Sequence, residues 1–210
     1  MDAVKRRSYH APVRAEQAER TRQRILAAAA ELFARDGWAG TTLQAVASAA
    51  QVSSQTVHQS VGTKPALLIG AVALTIAGEE PGVPLVDREP FRRAFLPAAT
   101  PEERASAFAA GTTEVYGRGG GLFGVLVRAA ADEPELAALW ARAKADRLAD
   151  CTRLVQAAHP RRTRGIADVA DLVFVQSGPG VYLDLVVDRG WPAARYQQWL
   201  TAELTRLLAA

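Results

Sequence analysis

The chain has 210 residues, of which 49% are hydrophobic, 22% are charged and one is cysteine, and its formal net charge is +3 at pH 7. This apolar fraction excludes wholesale disorder, and a single cysteine excludes an internal disulfide and a cysteine-rich zinc site. The longest apolar stretch without a charge, Pro65 to Gly78, is 14 residues long, whereas a membrane span needs about 20. We therefore expect a soluble, cytoplasmic protein.

Charge is unevenly distributed along the chain. Residues 1–64 hold nine Lys/Arg against five Asp/Glu, whereas residues 65–210 hold sixteen against seventeen. A basic amino-terminal part beside a balanced remainder favours contact between that part and a polyanion. A solvated basic tail would have the same composition, so charge alone does not decide between these two interpretations.

The first third of the chain predicts four helices separated by short breaks. Apolar residues recur at helical spacing in the first of them, and Gly37 is suited to end it in a left-handed conformation. Thr42 and Ser53 are favourable N-cap residues for two short helices, and Thr63 is one for the fourth. Residues 1–17 lack such periodicity and predict a mobile basic arm. The four predicted helices are 19–36, 43–50, 54–61 and 64–78.

The remainder of the chain is also helical in pattern and contains no convincing strand. Its breaks carry glycine and proline, as at 177–180 and 189–192. Glycines 119–121 are interpreted as a loop between two helices. The predicted helices are 89–96, 101–116, 122–132, 134–158, 166–177, 181–188 and 193–208. The sequence thus predicts an all-α protein with an amino-terminal helical unit at 18–64 and a larger body at 65–210.

The third predicted helix carries a block of polar but uncharged residues, SSQTVHQS at 53–60. Two short helices joined by a tight turn are typical of a helix-turn-helix, whose second helix lies in the DNA major groove. Neutral side chains read base edges there, because glutamine pairs with adenine and Ser or Thr with several bases. Val57 and Val61 would anchor this helix to the core. The predicted base readers are Ser54, Gln55, Thr56, Gln59 and Ser60.

Phosphate contacts are expected around the same helices. The amino-terminal end of the fourth helix has free N–H groups and the positive end of the helix dipole, which attract a phosphate. A solvated polar helix face would show the same periodicity as a reading helix, and the basic charge of residues 1–64 favours DNA reading. The predicted phosphate contacts are Thr42, Ser53, His58 and Lys64.

Several motifs occur in a fixed order between Arg22 and Leu68: ILAAAAELFARDGW, the TT before the second helix, VSSQTV and TKPALL. In this combination the chain resembles the tetracycline-repressor (TetR) family of bacterial transcription factors. Three positions depart from the family pattern. Gln51 stands where the family usually has Gly, His58 where it usually has Tyr, and Val61 where it often has Phe. The segments DEPELAALW and LVVDRGWPAARYQQWL are similar to one actinobacterial-type branch, so the resemblance covers most of the chain.

The resemblance implies a DNA-binding regulator with a dimer-forming, effector-binding body. We expect a repressor that binds a near-palindromic operator as a homodimer, with half-sites about one turn (~34–36 Å) or a multiple apart. By analogy with the family, effector binding would move the fourth helix and separate the two reading heads. We predict no enzyme activity, no cofactor and no membrane association.

Two further sets of residues follow from the apolar pattern of the body. The helices near 166–177 and 193–208 carry apolar stripes that favour symmetric pairing, although an intrachain core would give the same stripes. The predicted dimer interface is Ile166, Val169, Ala170, Val173, Trp199, Leu200, Leu204 and Leu207.

Aromatic residues of the body with few charges among them predict a pocket for a hydrophobic, neutral or weakly charged effector. Its predicted lining is Phe108, Thr112, Tyr116, Phe123, Trp140 and Phe174.

Two other functional classes fit parts of the sequence. Residues 119–124 spell GxGxxG, which is typical of nucleotide-binding enzymes, but no apolar strand precedes it as that fold requires. An architectural DNA binder without an effector is the other alternative. The three histidines lack metal-ligand spacing, so no metal site is predicted. Cys151 lies on an apolar helical stripe and is interpreted as a buried filler, with a redox sensor as the alternative.

Overall fold

The computed structural model describes residues 10–78, 85–97, 99–160 and 165–209. These residues form helices joined by turns and contain no strand, which confirms the predicted all-α fold. A 3-10 turn lies at Leu85–Asp87 and a π-helical segment at Leu183–Asp188. The α-helices are α1 (His10–Gly40), α2 (Leu43–Ala49), α3 (Ser54–Ser60), α4 (Lys64–Ala77), α5 (Phe91–Ala94), α6 (Pro101–Ala129), α7 (Pro134–Ala158), α8 (Ile166–Gln176), α9 (Pro179–Tyr182) and α10 (Ala193–Ala209).

The first helix is longer than its periodicity predicts. Residues 10–17, predicted as part of a mobile arm, belong to α1, while residues 1–9 of that arm lie outside the described residues. α1 continues to Gly40, but Gly37 has φ 70° and ψ −172° and interrupts the helix where the sequence predicted its end. The apolar pattern therefore located the packed part of α1 and missed its first turns, of which residues 14–17 are exposed.

α6 corrects a second prediction, because it runs without a break through the glycines that were interpreted as a loop. Aromatic rings lie beside two of these glycines: a Cβ added at Gly119 would lie 3.2 Å from the Phe123 ring, and one at Gly120 would lie 3.4 Å from the Tyr182 ring. At Gly111, earlier on the same helix, an added Cβ would lie 2.6 Å from the Phe91 ring. Glycine is unfavourable in a helix by about 1 kcal/mol, and here the close approach of the rings overrides that preference. The predicted helices 101–116 and 122–132 are one helix.

The chain divides into two compact units between Leu74 and Thr75. We call the first unit the head and the second the body. The division lies within α4, ten residues after the predicted boundary between residues 64 and 65. The functional domains 18–64 and 65–210 remain a prediction, because compactness does not test which residues bind DNA or ligand.

The head has its own apolar core, formed by the inner face of α1 and by α2, α3 and the first part of α4. Phe33 is fully buried and stacks on Trp38, with ring centroids 5.8 Å apart. Val57 is the buried anchor of α3. The large core side chains of the head are Ile25, Leu26, Leu32, Phe33, Val46, Val57, Leu67 and Leu68.

The body is built around α6, which packs against α10, α7 and α5. A capping box fixes the start of α6, since the Thr100 side chain accepts from the Glu103 N–H and the Glu103 carboxylate accepts from the Thr100 N–H. A series of neighbouring rings crosses the core from α6 through α9 to α10. Its members are Phe123, Tyr116, Tyr182, Tyr196 and Trp199.

Within the described residues, the run Ile166–Asp188 is long and apolar enough to cross a membrane by length and composition alone. Helices α3 and α4 meet the same criterion only if they are counted together as one span bent by 68°. Ala170, Val173 and Tyr182 of the first run are buried among the other helices of the body. We interpret this run as core helices of a folded domain.

Candidate functional sites

α2 and α3 form a helix-turn-helix in the head. The Thr42 Oγ1 accepts a hydrogen bond from the Ala45 N–H at 3.1 Å, and the Ser53 Oγ accepts one from the Thr56 N–H at 3.0 Å. Between the helices Gln51 has φ 54°, a left-handed conformation that usually favours glycine. The turn is therefore as tight as the sequence predicted, and it is made with a non-glycine residue.

Two arginines of α1 hold the carboxyl ends of both short helices. The Arg24 Nη2 donates to the Ala50 O at 2.6 Å, and the Arg22 Nη1 donates to the Ser60 O at 2.9 Å. Carbonyls at helix ends have no partner within their own helix, so these contacts satisfy them from outside. The sequence predicted only a general basic charge for the two arginines, because their partners lie 26 and 38 residues away.

The exposed face of α3 carries the two glutamines. Val57 faces the core, and Gln55 and Gln59 are two residues away from it on either side, on the opposite side of the helix. Both glutamines are exposed, as are Ser54 and His58. These four side chains present donors and acceptors with no formal charge when the histidine is neutral.

Two of the predicted base readers have a different environment. The side chains of Thr56 and Ser60 are partly buried. The Thr56 Oγ1 lies 2.8 Å from the Ser53 Oγ and is hydrogen-bonded to it. Thr56 therefore supports the start of α3 from within the head, and Gln55 and Gln59 are the more accessible members of the predicted set.

The predicted phosphate contacts surround α3. Thr42, Ser53 and His58 are exposed, and Lys64 is the first residue of α4. The Lys64 Nζ lies 4.4 Å from the centroid of the Trp38 ring, which positions the ammonium group. The Thr63 Oγ1 accepts from the Ala66 N–H at 3.3 Å, so it caps α4 as predicted.

The profile of one protein family matches this part of the chain. Residues 25–71 match the family described as bacterial regulatory proteins, tetR family. The match includes most of α1, both helices of the helix-turn-helix and the first half of α4. No curated protein matches the chain.

Solved structures with the same fold cover most of the chain. A transcriptional regulator assigned to the TetR family from Mesorhizobium loti aligns with a TM-score of 0.68 at 19% identity, over 92% of this chain and 97% of the other. A transcriptional regulator from Pseudomonas aeruginosa aligns with a TM-score of 0.72 at 14% identity, over 91% and 92%. A TetR-family regulator from Thermus thermophilus aligns with a TM-score of 0.59 at 20% identity, over 89% and 97%. These alignments show a shared fold.

The helix-turn-helix, its capped reading helix and the profile match define the class of this protein: it is a DNA-binding transcriptional regulator. Within that class, residues 25–71 match the tetR family, and the resemblance predicted from the sequence motifs is confirmed for this part of the chain.

The body contains a cavity of about 250 Å³. Five of the six residues predicted to line a pocket do line it: Phe108, Thr112, Tyr116, Phe123 and Trp140. Phe174 is not part of the lining, although Ser177 and Pro179 after it are. Its ring lies beneath Arg147 instead, 3.6 Å from the guanidinium carbon.

The cavity differs in one respect from the predicted pocket, because charged side chains of α7 are part of its wall. These are Asp146, Arg147 and Asp150. The expectation that no ionic group faces the pocket was wrong. The aromatic residues had indicated an apolar wall, and helical spacing alone could not show that the charged face of α7 lies against the cavity. Burial raises the pKa of Asp150, and the neighbouring Arg153 acts in the opposite direction.

Cys151, next to this charged segment, is fully buried. Burial raises the pKa of its thiol to about 11, so the thiolate required for redox chemistry is not formed at neutral pH. This environment favours the interpretation of Cys151 as a core side chain.

The residues predicted to form the dimer interface fall into two groups. Ala170, Val173, Leu200 and Leu204 are at most 1% exposed and belong to the core of the body. Ile166, Val169, Trp199 and Leu207 are partly buried. The sequence did not single out Leu172 and Val175 of α8, which are 50% and 62% exposed. Helical spacing identified the apolar helices, and it did not tell which apolar stripe faces the core of the same chain.

Proposed function

We propose that the protein is a ligand-responsive repressor that binds a near-palindromic operator as a homodimer and is released from it by a small effector. The observation that carries this proposal is the exposed, neutral Gln55–Gln59 face of α3 within a TetR-family head. Binding to operator DNA places the protein in the cytoplasm, and we assign it no catalytic role.

Base reading is assigned chiefly to Gln55 and Gln59. In the major groove a glutamine amide can donate a hydrogen bond to adenine N7 and accept one from the adenine N6 amino group. Each such pair contributes about 1–3 kcal/mol of discrimination against the wrong base. Ser54, Thr56 and Ser60 would make supporting contacts. Thr42, Ser53, His58 and Lys64 would bind phosphates and fix the register of α3 without reading sequence.

A single α3 covers only a few base pairs, so a symmetric dimer is proposed to supply affinity. The exposed Leu172 and Val175 on α8 extend the partly buried Ile166 and Val169 and form an apolar stripe that a second copy of the chain can cover. Trp199 and Leu207 on α10 would complete the interface. The buried members of the predicted set would support it from the core.

The cavity in the body is proposed to bind the effector. Helix α4 contains Lys64 in its first turn and Ile76, which lines the cavity. A ligand that favours one position of α4 would therefore also affect Lys64, the proposed phosphate contact at the start of this helix. A coupling of about 1–3 kcal/mol between the two sites is typical of such regulation.

The two alternatives have different support. The nucleotide-binding alternative required a glycine loop at 119–124, and these residues are helical. A DNA binder without an effector is compatible with the head, and the lined cavity of the body favours a regulator that responds to a ligand.

Footprinting of DNA upstream of its own gene tests the proposal. The expected result is protection of a near-palindromic site whose half-sites are about one helical turn (~34–36 Å) or a multiple apart.

Sedimentation at micromolar concentration should give a dimer, and Val175→Asp should shift the protein towards the monomer. A thermal-shift screen of small molecules should find compounds that also release this DNA. Equal affinity for random DNA, or a monomer that binds the site fully, would contradict the proposal.

A further inference from the structure

The wall of the body cavity contains a cation that has no acidic partner within the described residues. The Arg147 Nη1 donates to the Phe174 O at 2.6 Å, and the guanidinium stacks on the Phe174 ring. Arginine has five N–H donors, and this carbonyl accepts from Nη1 alone. The backbone contact and the ring therefore fix the position of the group while other donors remain available to a ligand.

The two acidic residues of the same wall each have an arginine of their own. The Asp150 carboxylate lies 3.4 Å from the Arg153 Nη1, and the Asp146 carboxylate lies 4.0 Å from the Arg142 Nε. Arg147 sits between these pairs along α7 without joining either in the described part of the chain. Arg147 is therefore the charged group of this wall that no ion pair neutralises within the described residues.

A second polar group of the wall is also available. Thr112 is 5% exposed and lines the cavity, one turn from both Phe108 and Tyr116. The adjacent Thr113 donates to the Ala109 O at 2.7 Å, whereas Thr112 has no hydrogen bond to the described residues. A hydroxyl so placed can donate to a second oxygen of a ligand.

Most of the remaining wall is apolar. Its apolar residues include Phe91, Phe108, Phe123, Trp140 and Val115. Arg147 supplies one positive charge without an acidic partner in the described residues, and a single negative charge on a ligand would balance it. Arginine donors match the two oxygens of a carboxylate in a planar arrangement.

We propose that the effector is a monocarboxylic acid with a hydrophobic body, whose carboxylate binds Arg147 and Thr112 and whose body lies against the aromatic wall. This inference rests on the proposed function, because it assigns a chemical class to the effector of the same cavity. It narrows the hydrophobic, neutral or weakly charged effector that the sequence predicted to a singly charged acid.

Two series of probes with matched bodies test the proposal. The first is decanoate, decanamide and decylamine, and the second is naphthylacetate, naphthylacetamide and naphthylethylamine. Binding to the full-length protein is measured by calorimetry. At least one carboxylate is expected to bind more than about tenfold more tightly than its amide, since a hydrogen bond to a charged group contributes about 1.5–3 kcal/mol.

Variants locate the recognition of the carboxylate. Arg147→Gln is expected to remove the preference for the acid over the amide, and Arg147→Lys to retain part of it. Arg206→Gln is the control, because Arg206 is an exposed arginine of the body that pairs with Glu203 and does not line the cavity. Thr112→Val, which preserves shape, reports on the second contact if Arg147→Gln weakens folding. Thr112→Val is expected to reduce acid binding about threefold to tenfold.

The outcomes separate this inference from the proposed function. If probes bind without a preference for the acid, or if the preference survives both Arg147→Gln and Thr112→Val, the carboxylate assignment is overturned and the effector cavity stands. If no member of either series binds at millimolar concentration, both the carboxylate assignment and the cavity as effector site are overturned.

Discussion

Arginines near the two proposed sites do different things in the head and in the body. In the head, Arg22 and Arg24 donate to the carbonyls that end α3 and α2, and the side chains that face outward from α3 are neutral. In the body, Arg147 also donates to a backbone carbonyl, but its guanidinium is part of a cavity wall. Arginine thus supports a neutral surface that is proposed to read bases in one unit and supplies a charge to the proposed ligand site in the other.

This difference shows how each unit could obtain specificity. A reading helix that discriminates bases needs neutral donors and acceptors in fixed positions, because a charge would bind phosphate of any sequence. A small apolar cavity needs few polar groups, and a single fixed charge selects a class of ligand. The experiments that follow separate the two units and then test the support of the reading surface, in order of decreasing expected effect.

The largest effect is expected from Phe33→Ala in the head. Phe33 is fully buried and stacked on Trp38, and truncation of such a residue costs about 3–5 kcal/mol. Because the head has its own core, DNA binding should be lost while the helices of the body remain folded. Hydrogen exchange read by mass spectrometry should show loss of protection in residues 25–71 and retained protection in α6 and α10.

Phe33→Leu is the matched control, since it keeps an apolar side chain and should cost less than about 1.5 kcal/mol. This variant should retain DNA binding. Loss of protection in α6 and α10 of the Phe33→Ala protein would show that the two units unfold together, and the comparison of separate units would then be wrong.

The second effect concerns base reading. Gln55→Ala or Gln59→Ala should weaken operator binding by about 1–3 kcal/mol and relax the preference at one base pair, with little change on random DNA. Lys64→Ala should instead weaken binding to all DNA sequences alike. It should also lower the slope of log affinity against log salt concentration by about 1, the loss of one phosphate contact. Quantitative mobility shifts on operator and random duplexes measure both.

Gln23→Ala controls for the loss of an exposed glutamine, because Gln23 lies on α1 and bonds to Glu19. It should leave both affinities unchanged. Equal losses on operator and random DNA for Gln55→Ala and Gln59→Ala would remove their assignment as base readers.

Local signals predicted the head well, and the body only in part. Thr42, Ser53 and Thr63 cap helices where the sequence placed them, because capping depends on neighbours within three residues. Contacts of long range were not predictable in this way. The partners of Arg22 and Arg24, and the charged wall at Arg147, depend on which helices pack together.

The same limit explains the error at the glycines of α6. A glycine run indicates a break when only helix propensity is considered. At Gly120 the structure shows the opposing cause, since an added Cβ would lie 3.4 Å from the Tyr182 ring, and at Gly111 on the same helix the Phe91 ring occupies the space of a side chain. Sequence periodicity could identify five residues of the cavity wall because they are aromatic or lie on one face of a helix, whereas it could not identify the ring that fills a missing Cβ.

The third effect tests that packing directly. Gly111→Ala would place a Cβ 2.6 Å from the Phe91 ring, so the ring must move, and we expect a loss of about 1–3 kcal/mol in the free energy of unfolding. Gly117→Ala is the control on the same helix, because its nearest neighbour is the Tyr182 hydroxyl at 3.7 Å. That variant should gain about 0.5–1 kcal/mol from helix propensity. Denaturant unfolding measures both, and a gain for Gly111→Ala would contradict the packing explanation.

The smallest effect is expected from Arg24→Gln, which tests whether arginines of the head act through backbone support. Arg24 donates to the Ala50 O at the end of α2, and loss of this bond should cost about 1–2 kcal/mol of head stability. Arg20→Gln is the matched control: Arg20 has the same charge on the same helix, and within the described residues it forms an exposed ion pair with Glu16, which contributes about 0–1 kcal/mol. If Arg24 acts on DNA through charge alone, both variants should weaken DNA binding equally and lower its salt dependence equally. If it acts by supporting the turn, Arg24→Gln should lower the denaturation midpoint of the head and weaken operator binding with an unchanged salt slope. We expect the second result, because the guanidinium that would meet a phosphate is already held by a carbonyl of the helix-turn-helix.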